Sequence, residues 1–207
     1  MKIDKLSIDG KKQSIEVLDK IFSAKVNNQL VSGVIYKLNA NFKGRKAKTK
    51  QRNEITGSTS KIYSQKGTGN ARHSSKKAPI FVGGGIAHGP KGQDNYKTRK
   101  LNKSEKKMSI ASLITEKNKS NNLIIFDDFG KKIEKTKEMF ELLKKFDANN
   151  SLLIVDTKSK DNILRSTKNI PNVKLTDANH FSAFDLVKYK KIIFTVSSVK
   201  ELEKRYQ

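Results

Sequence analysis

The residues from Gln65 to Arg72 (Q-K-G-T-G-N-A-R) form the most chemically suggestive string in the chain. Two glycines around a threonine let a backbone come close to a phosphate or a base, and Lys66 and Arg72 add positive charge. Alone, such a G-T-G reads as a flexible surface turn; within a strongly basic window it reads as a contact to a polyanion. A second glycine cluster runs from Gly83 to Gly92 (G-G-G-I-A-H-G-P-K-G) and superficially imitates a nucleotide-binding loop. A phosphate-binding P-loop needs Lys-Ser/Thr directly after its second glycine, but Gly89 is followed by Pro90. A dinucleotide fingerprint needs a strand before and a helix after it. Here Lys76, Lys77, Ala78 and Pro79 with a short Ile80–Val82 run come before, and proline and polar residues come after. Tyr63, Phe81 and Tyr96 lie among the basic residues, where rings either stack on unpaired bases or anchor the segment to itself.

Residue types suited to catalysis are present but not grouped. His73, His88 and His180 are far apart and lack metal-ligand spacing, and the chain has no cysteine for a thiolate or a disulfide. Asp127 and Asp128 follow a predicted strand, as do Asp156 and Asp177, at positions where α/β folds often carry acids. With no partner base or phosphate loop they read as solvated strand ends. No serine nucleophile sits in a recognisable motif. The expectation is a protein without catalytic residues, metal or cofactor, and not an enzyme.

Charge selects the partner class. The 207 residues carry 44 Lys and Arg against 20 Asp and Glu, a net of +24. Self-repulsion on this scale is relieved by a polyanion, nucleic acid before an anionic membrane. No apolar run is long enough to cross a bilayer, and Met1 to Gly10 alternates apolar and charged residues, unlike a secretory signal. The absence of cysteine fits a reducing cytoplasm. Residues 43–107 hold 18 Lys and Arg against 3 acids (Glu54, Asp94, Glu105), a net of +15, and 9 of the 12 glycines. Only 13 of those 65 residues are apolar, too few to offset the entropy of ordering without a partner. This window is expected to be an extended loop that orders on its ligand.

The flanks must hold that loop. From Asn27 to Lys43, Leu30, Val31, Val34, Ile35 and Leu38 recur at helical spacing, and after Ser104, a candidate N-cap, Met108, Ala111, Leu113 and Ile114 repeat the pattern. The loop therefore leaves one helix and returns into another. Leu123–Phe126, Leu152–Val155, Val173–Leu175 and Ile192–Val196 are apolar runs of strand length. They alternate with helical segments: Thr136–Phe146, with Met139, Phe140, Leu142, Leu143 and Phe146 on one side; Asp161–Lys168, with Ile163 and Leu164 inward; Phe184–Tyr189; and a last helix opened by Ser198 and ending at Arg205. Strands apolar on both faces that alternate with helices predict an α/β fold, a three-layer sandwich with a mainly parallel sheet. A single domain over residues 1–207 is expected, with residues 43–107 inserted as the basic loop.

The loop motifs, in order and spacing, resemble the bacterial form of large-subunit ribosomal protein number four. The match is carried by T-K-x-R (Thr49 to Arg52), Glu54, Thr56-Gly57, Q-K-G-T-G-x-A-R (Gln65 to Arg72) and S-x-x-x-P-I (Ser75 to Ile80). It continues through G-G-G-x-x-x-G-P (Gly83 to Pro90) and K-L-N-K (Lys100 to Lys103). The resemblance spans nearly the whole chain and is specific in the loop, generic in the flanks. It implies a structural protein of the ribosome in the cytoplasm, with large-subunit rRNA, neighbouring large-subunit proteins and the nascent peptide as partners, and a part in subunit assembly. In the family the loop threads into rRNA and its tip lines the peptide exit tunnel, which puts Lys66, Gly67, Thr68 and Gly69 at that tip. The rRNA-binding set it implies is Arg45, Lys46, Lys48, Lys50, Arg52, Lys61, Tyr63, Gln65, Lys66 and Arg72, then Lys76, Lys77, Lys91, Lys97, Arg99 and Lys100. The chain departs from the family at Ser64, Asn70 and Val82, where members usually carry cationic residues, and at Phe81, where they usually carry tryptophan.

An extended chain advances about 3.3 Å per residue, so half of the window could reach several tens of ångströms into a large RNA. Two other classes compete. A nucleic-acid-modifying or nucleotide-binding α/β enzyme would need a phosphate loop or a catalytic cluster at the strand ends. A non-ribosomal RNA- or DNA-binding protein would use the loop as a basic arm and cofractionate with DNA or free RNA.

Overall fold

The computed structural model describes residues 1–7, 12–128, 135–156 and 160–206. The end of the N-terminal stretch read as unlike a signal, residues 8–10, lies outside the described residues. The chain forms two compact units, residues 1–39 with 100–207, and residues 40–99.

The first unit is an α/β sandwich. Its strands are β1 (Lys2–Leu6), β2 (Lys12–Glu16), β3 (Leu123–Phe126), β4 (Ser151–Val155), β5 (Val173–Asp177) and β6 (Lys191–Thr195). They form one sheet in the order β2-β1-β3-β6-β4-β5, with only the β1–β2 hairpin antiparallel. The helices are α1 (Asp19–Phe22), α2 (Asn28–Lys43), α3 (Lys103–Lys119), α4 (Thr136–Lys145), α5 (Lys160–Lys168), α6 (Ala183–Lys188) and α7 (Val196–Tyr206).

Alternation along the central strands sorts side chains into two cores. Leu152 and Ile154 of β4, with Ile192 and Phe194 of β6, join Ile21 and Phe22 of α1, Ile110 and Ile114 of α3, and Leu202 of α7. On the opposite face Leu153 and Val155, with Ile193 and Phe126, meet Met139 and Leu143 of α4 and Ile163 of α5. The sheet is thus the middle of three layers, as expected from strands apolar on both faces. Phe194 takes Phe22 and Phe181 edge-on, at centroid separations of 6.4 Å and 6.2 Å, a preferred aromatic geometry.

The elements differ from the sequence reading in instructive places. The β1–β2 hairpin and α1 had no counterpart in it. Lys2, Asp4 and Lys5 of β1 against Gln13, Ser14 and Glu16 of β2 are too polar to read as core strands; β2 is the sheet edge, where polarity is suited, and β1 is its inner neighbour. Asn102, not Ser104, precedes α3, and Met108 is exposed. Every residue from Ser109 to Thr115 is buried, so α3 is covered on several sides and a single apolar stripe cannot describe it. Its polar members are satisfied: Thr115 Oγ1 donates to the Ile21 carbonyl (3.1 Å) and accepts from the Ala24 amide (3.0 Å). Phe140 and Leu164, expected inward, are exposed. Each follows directly after a fully buried residue, Met139 and Ile163, and one helical step of about 100° turns it off the core face. Strand β5 continues to Asp177, whereas β6 stops at Thr195 and Val196 starts α7. Ser198 therefore does not cap α7 from outside. It sits in the first turn, its hydroxyl accepting from the Thr195 amide (2.9 Å) while Thr195 Oγ1 accepts from the Ser198 amide (3.3 Å), a reciprocal cap centred on Thr195.

Candidate nucleic-acid interface

Residues 40–99 fold back on themselves as a long hairpin without a regular sheet. The outgoing and returning segments are tied by a bridge between Lys48 and Lys91, by the Thr49 amide donating to the Pro90 carbonyl (2.8 Å), and by the Ile86 amide donating to the Lys50 carbonyl (3.0 Å). At the base, Asn41 closes a two-bond ring with the backbone of Arg99, accepting from its amide (2.7 Å) and donating to its carbonyl (2.9 Å). The Tyr96 hydroxyl donates to the Ala40 carbonyl (2.9 Å), and Gly92–Asn95 forms a 3-10 turn whose Gln93 side chain accepts from the Arg45 amide (3.1 Å). Further out the Ile62 amide donates to the Ser74 carbonyl (2.9 Å) and the Tyr63 hydroxyl to the Ala71 carbonyl. Residues 64–70 are the turn beyond these ties, so Lys66, Gly67, Thr68 and Gly69 occupy the end of this arm. Gly67 (φ 85°) and Gly69 (φ 66°) supply the left-handed backbone that the turn needs.

The second glycine cluster serves the hairpin itself. A Cβ on Gly85 would come within 2.6 Å of both Arg52 Cα and the Gln51 carbonyl carbon, so only glycine lets the two segments pass here. Phosphate approach is not needed to explain this glycine. The aromatics are also used internally: His73 lies between the rings of Tyr63 and Phe81, edge-on at 6.3 Å and 5.0 Å. Of the two roles open to these rings, self-anchoring is the one visible in the fold.

Charge density is high and outward. The unit holds 14 Lys and Arg against 2 acids, Glu54 and Asp94. Arg45, Lys46, Lys48, Lys50, Arg52, Lys61, Gln65, Lys66, Arg72, Lys76, Lys91, Lys97 and Arg99 are exposed, while Tyr63 and Lys77 are half-buried. Lys100, also exposed, belongs to the first unit. Lys48 and Lys61 are among the cations with local partners. Lys48 Nζ lies 3.0 Å from Asp94 and 3.9 Å from Glu54. The Asp94 hydrogen bond and charge, then the Glu54 charge, hold its ammonium above the usual lysine range. Lys61 donates to Gln65 at the start of the turn.

Sequence reading did not single out a cleft of about 870 Å³ within this unit, lined among others by Gln51, Asn53, Ser75, Ile86 and His88. Its lining comes from three separated stretches, which no local motif reveals. The one local signal, a left-handed His88 (φ 55°), is a backbone property.

Three of the strand-end acids of the first unit, Asp127, Asp128 and Asp177, hold structural contacts. Asp127 accepts from Lys5 Nζ (2.8 Å) and Ser7 Oγ (2.8 Å), and these hydrogen bonds pull its carboxyl below the usual carboxylate range. Asp128 accepts from the Ser197 amide (2.9 Å) and hydroxyl. Asp177 Oδ2 pairs with His180 Nδ1 at 3.1 Å, a contact across the turn after β5. Among the described residues no group of three or more His, Cys, Asp or Glu is arranged to hold a metal, and no helix is long and apolar enough to cross a membrane.

Comparison with known proteins agrees with the motif pattern. Residues 15–205 match the model of the ribosomal protein L4/L1 family. The large ribosomal subunit protein uL4 of Pelagibacter ubique is 74% identical over 206 residues, covering 100% of both chains. The proteins of the same name from Thermoanaerobacter pseudethanolicus and Lachnospira eligens are 36% and 33% identical, covering 93% and 97% of this chain and 92% and 96% of their own. With fold, loop motifs and full-length similarity in agreement, the chain belongs to the ribosomal protein L4/L1 family.

Proposed function

We propose that this chain is a structural constituent of the large ribosomal subunit in the cytoplasm. Residues 40–99 bind large-subunit rRNA, and residues 66–69 at the turn line part of the nascent-peptide exit tunnel. The α/β unit anchors the arm and faces neighbouring ribosomal proteins, and early rRNA binding assists subunit assembly. The observation that carries this reading is the arm itself: 14 cations against 2 acids, nearly all exposed, with the family's Q-K-G-T-G-x-A-R string at its end. Exposed Lys and Arg neutralise phosphates and release counterions, which gives affinity without chemistry. Thr68 and the two flanking glycines present backbone rather than bulk at the turn, as a narrow passage for a peptide demands.

The test has two parts. In lysate sedimented at moderate salt the chain should travel with large subunits; a peak with DNA or free RNA would instead support a basic-arm protein outside the ribosome. A photocrosslinker at Lys66 or Thr68 should capture rRNA or a stalled nascent peptide. Strong crosslinks from the α/β unit with none from the turn would overturn the tunnel placement.

A further inference from the structure

We propose that the cleft in residues 40–99 seats a single unstacked nucleotide of an RNA strand, its base against Pro79, Ile86 and Ala87 and its phosphates on Arg52, Lys77 and Lys91. The proposal rests on the reading of this unit as RNA-binding and adds a defined seat to it. At about 870 Å³ the cleft lies in the range of small-ligand sites and exceeds what a bare phosphate needs. Its lining divides into parts suited to the parts of a nucleotide. Pro79, Ile86 and Ala87 give an apolar wall, and Ile86 is 52% exposed. The side-chain amides of Gln51 and Asn53 offer the donor and acceptor pairs that read a base edge. Arg52, Lys77 and Lys91 line the cleft, whose lining includes no Asp or Glu, and none of the three is in a salt bridge among the described residues.

Two further features indicate a built site. His88 holds a left-handed backbone (φ 55°) on the lining, a conformation that non-glycine residues keep only where the surroundings impose it. Gly85, next to Ile86, brings the returning chain against Gln51 and Arg52, so the wall and the amides are held together by the crossing. A second cleft of about 510 Å³ adjoins, lined by Ile62, Lys61, Lys76 and Val82, and Lys77 lines both. A strand leaving the first seat would meet the same ammonium on its way to the second. Free nucleotides share this chemistry, but the chain's net charge and the open, doubled cleft favour a strand.

The experiment uses the full chain with large-subunit rRNA containing 4-thiouridine or 6-thioguanosine, irradiated and digested to locate nucleotide adducts. An adduct is expected on the stretch 51–53 or 86–88. Ala87→Trp fills the cleft from an exposed position without removing a cation. It should lower that adduct about tenfold, the size of one lost base stack. Asn53→Ala, a truncation that adds no bulk, should lower it in the same direction. An unchanged adduct in both variants would overturn the proposal, as would adducts at residues 65–69 with none at the cleft. A mononucleotide that binds at millimolar concentration while RNA leaves no adduct at the cleft would overturn the strand as its source. Loss of all rRNA binding in the wild-type chain would instead sink the reading of the unit as RNA-binding.

Discussion

Replacing Gly85 with alanine tests whether the glycine-rich arm is held by its own backbone crossings or only by its ligand. The new Cβ would meet Arg52 Cα and the Gln51 carbonyl carbon at 2.6 Å, and backbone atoms cannot rotate aside as a side chain can. The two segments must separate. Two hydrogen bonds depend on their closeness, from the Gly85 amide to the Lys77 carbonyl and from the Ile86 amide to the Lys50 carbonyl, each 3.0 Å. Losing them costs about 1 kcal/mol each, and overpacking adds about 1 kcal/mol or more. A total of about 3 kcal/mol raises the open population roughly a hundredfold. Hydrogen exchange on the free full-length chain should show this at the Thr49 and Ile86 amides, with faster trypsin cleavage after Lys50 and Arg52. Amides of Ile154 and Phe194, in the other compact unit, should not change. Gly67→Ala is the counterpart: nothing lies within 4 Å of its added Cβ, so it carries only the strain of φ 85°, about 1 kcal/mol, felt at the turn. Unprotected exchange at Ile86 in the wild-type chain, or equal effects of the two substitutions there, would refute the reasoning and return the second glycine cluster to a purely ligand-facing role.

Lys48→Gln should weaken rRNA binding less than Lys50→Gln, because Asp94 and Glu54 already compensate Lys48. Filter binding across a salt series should show the Lys50 variant losing about 0.7–0.9 from the slope of log K against log salt, and equal losses would contradict the pairing. Tyr206 is pushed up to about 12 by burial, against an ordinary value of 10.0, and its hydroxyl donates to the Lys107 carbonyl. A raised folded value contributes stability that is complete below pH 10 and is lost as pH rises through 12. The full shift would amount to roughly 2.7 kcal/mol, and partial solvent exposure reduces this to about 1 kcal/mol. Denaturant titrations should show Tyr206→Phe flattening that alkaline decline; a wild-type curve level from pH 10 to 12 would contradict it. Burial lowers Lys117, whose ammonium donates to the Tyr189 and Lys190 carbonyls, so its own contribution runs the opposite way and rises with pH. Thr195→Ala removes the α7 cap and should cost about 1 kcal/mol by thermal melting, with no change in rRNA affinity.

How much of this was legible in the residues depends on how far apart the cooperating groups lie. The four strands of the parallel core could be read because each is a short run rich in apolar residues, and in Leu152–Val155 and Ile192–Phe194 both faces are buried. The β1–β2 hairpin could not, because β2 at the sheet edge and β1 beside it carry charged and polar residues and resemble a loop in composition. Phe140, Leu164 and Met108 show a second limit: an apolar stripe gives a helix its period, but its phase is set by the partner surface. The arm divides in the same way. Its charge and the Q-K-G-T-G-x-A-R string are local, so its placement at a turn follows from the residues, and so does the expectation of a polyanion. The pairing of Lys48 with Asp94, the edge-on cluster of Tyr63, His73 and Phe81, and the approach of Gly85 to Arg52 join positions 8 to 46 residues apart, and only the fold brings them together. Those same contacts shift the meaning of the glycines. Composition described a segment that orders on its ligand; the crossings are the contacts that hold its folded form, backbone hydrogen bonds and one edge-on aromatic cluster instead of an apolar core. An arm built this way keeps its shape without burying its cations, which is what allows nearly every Lys and Arg in it to face outward at once.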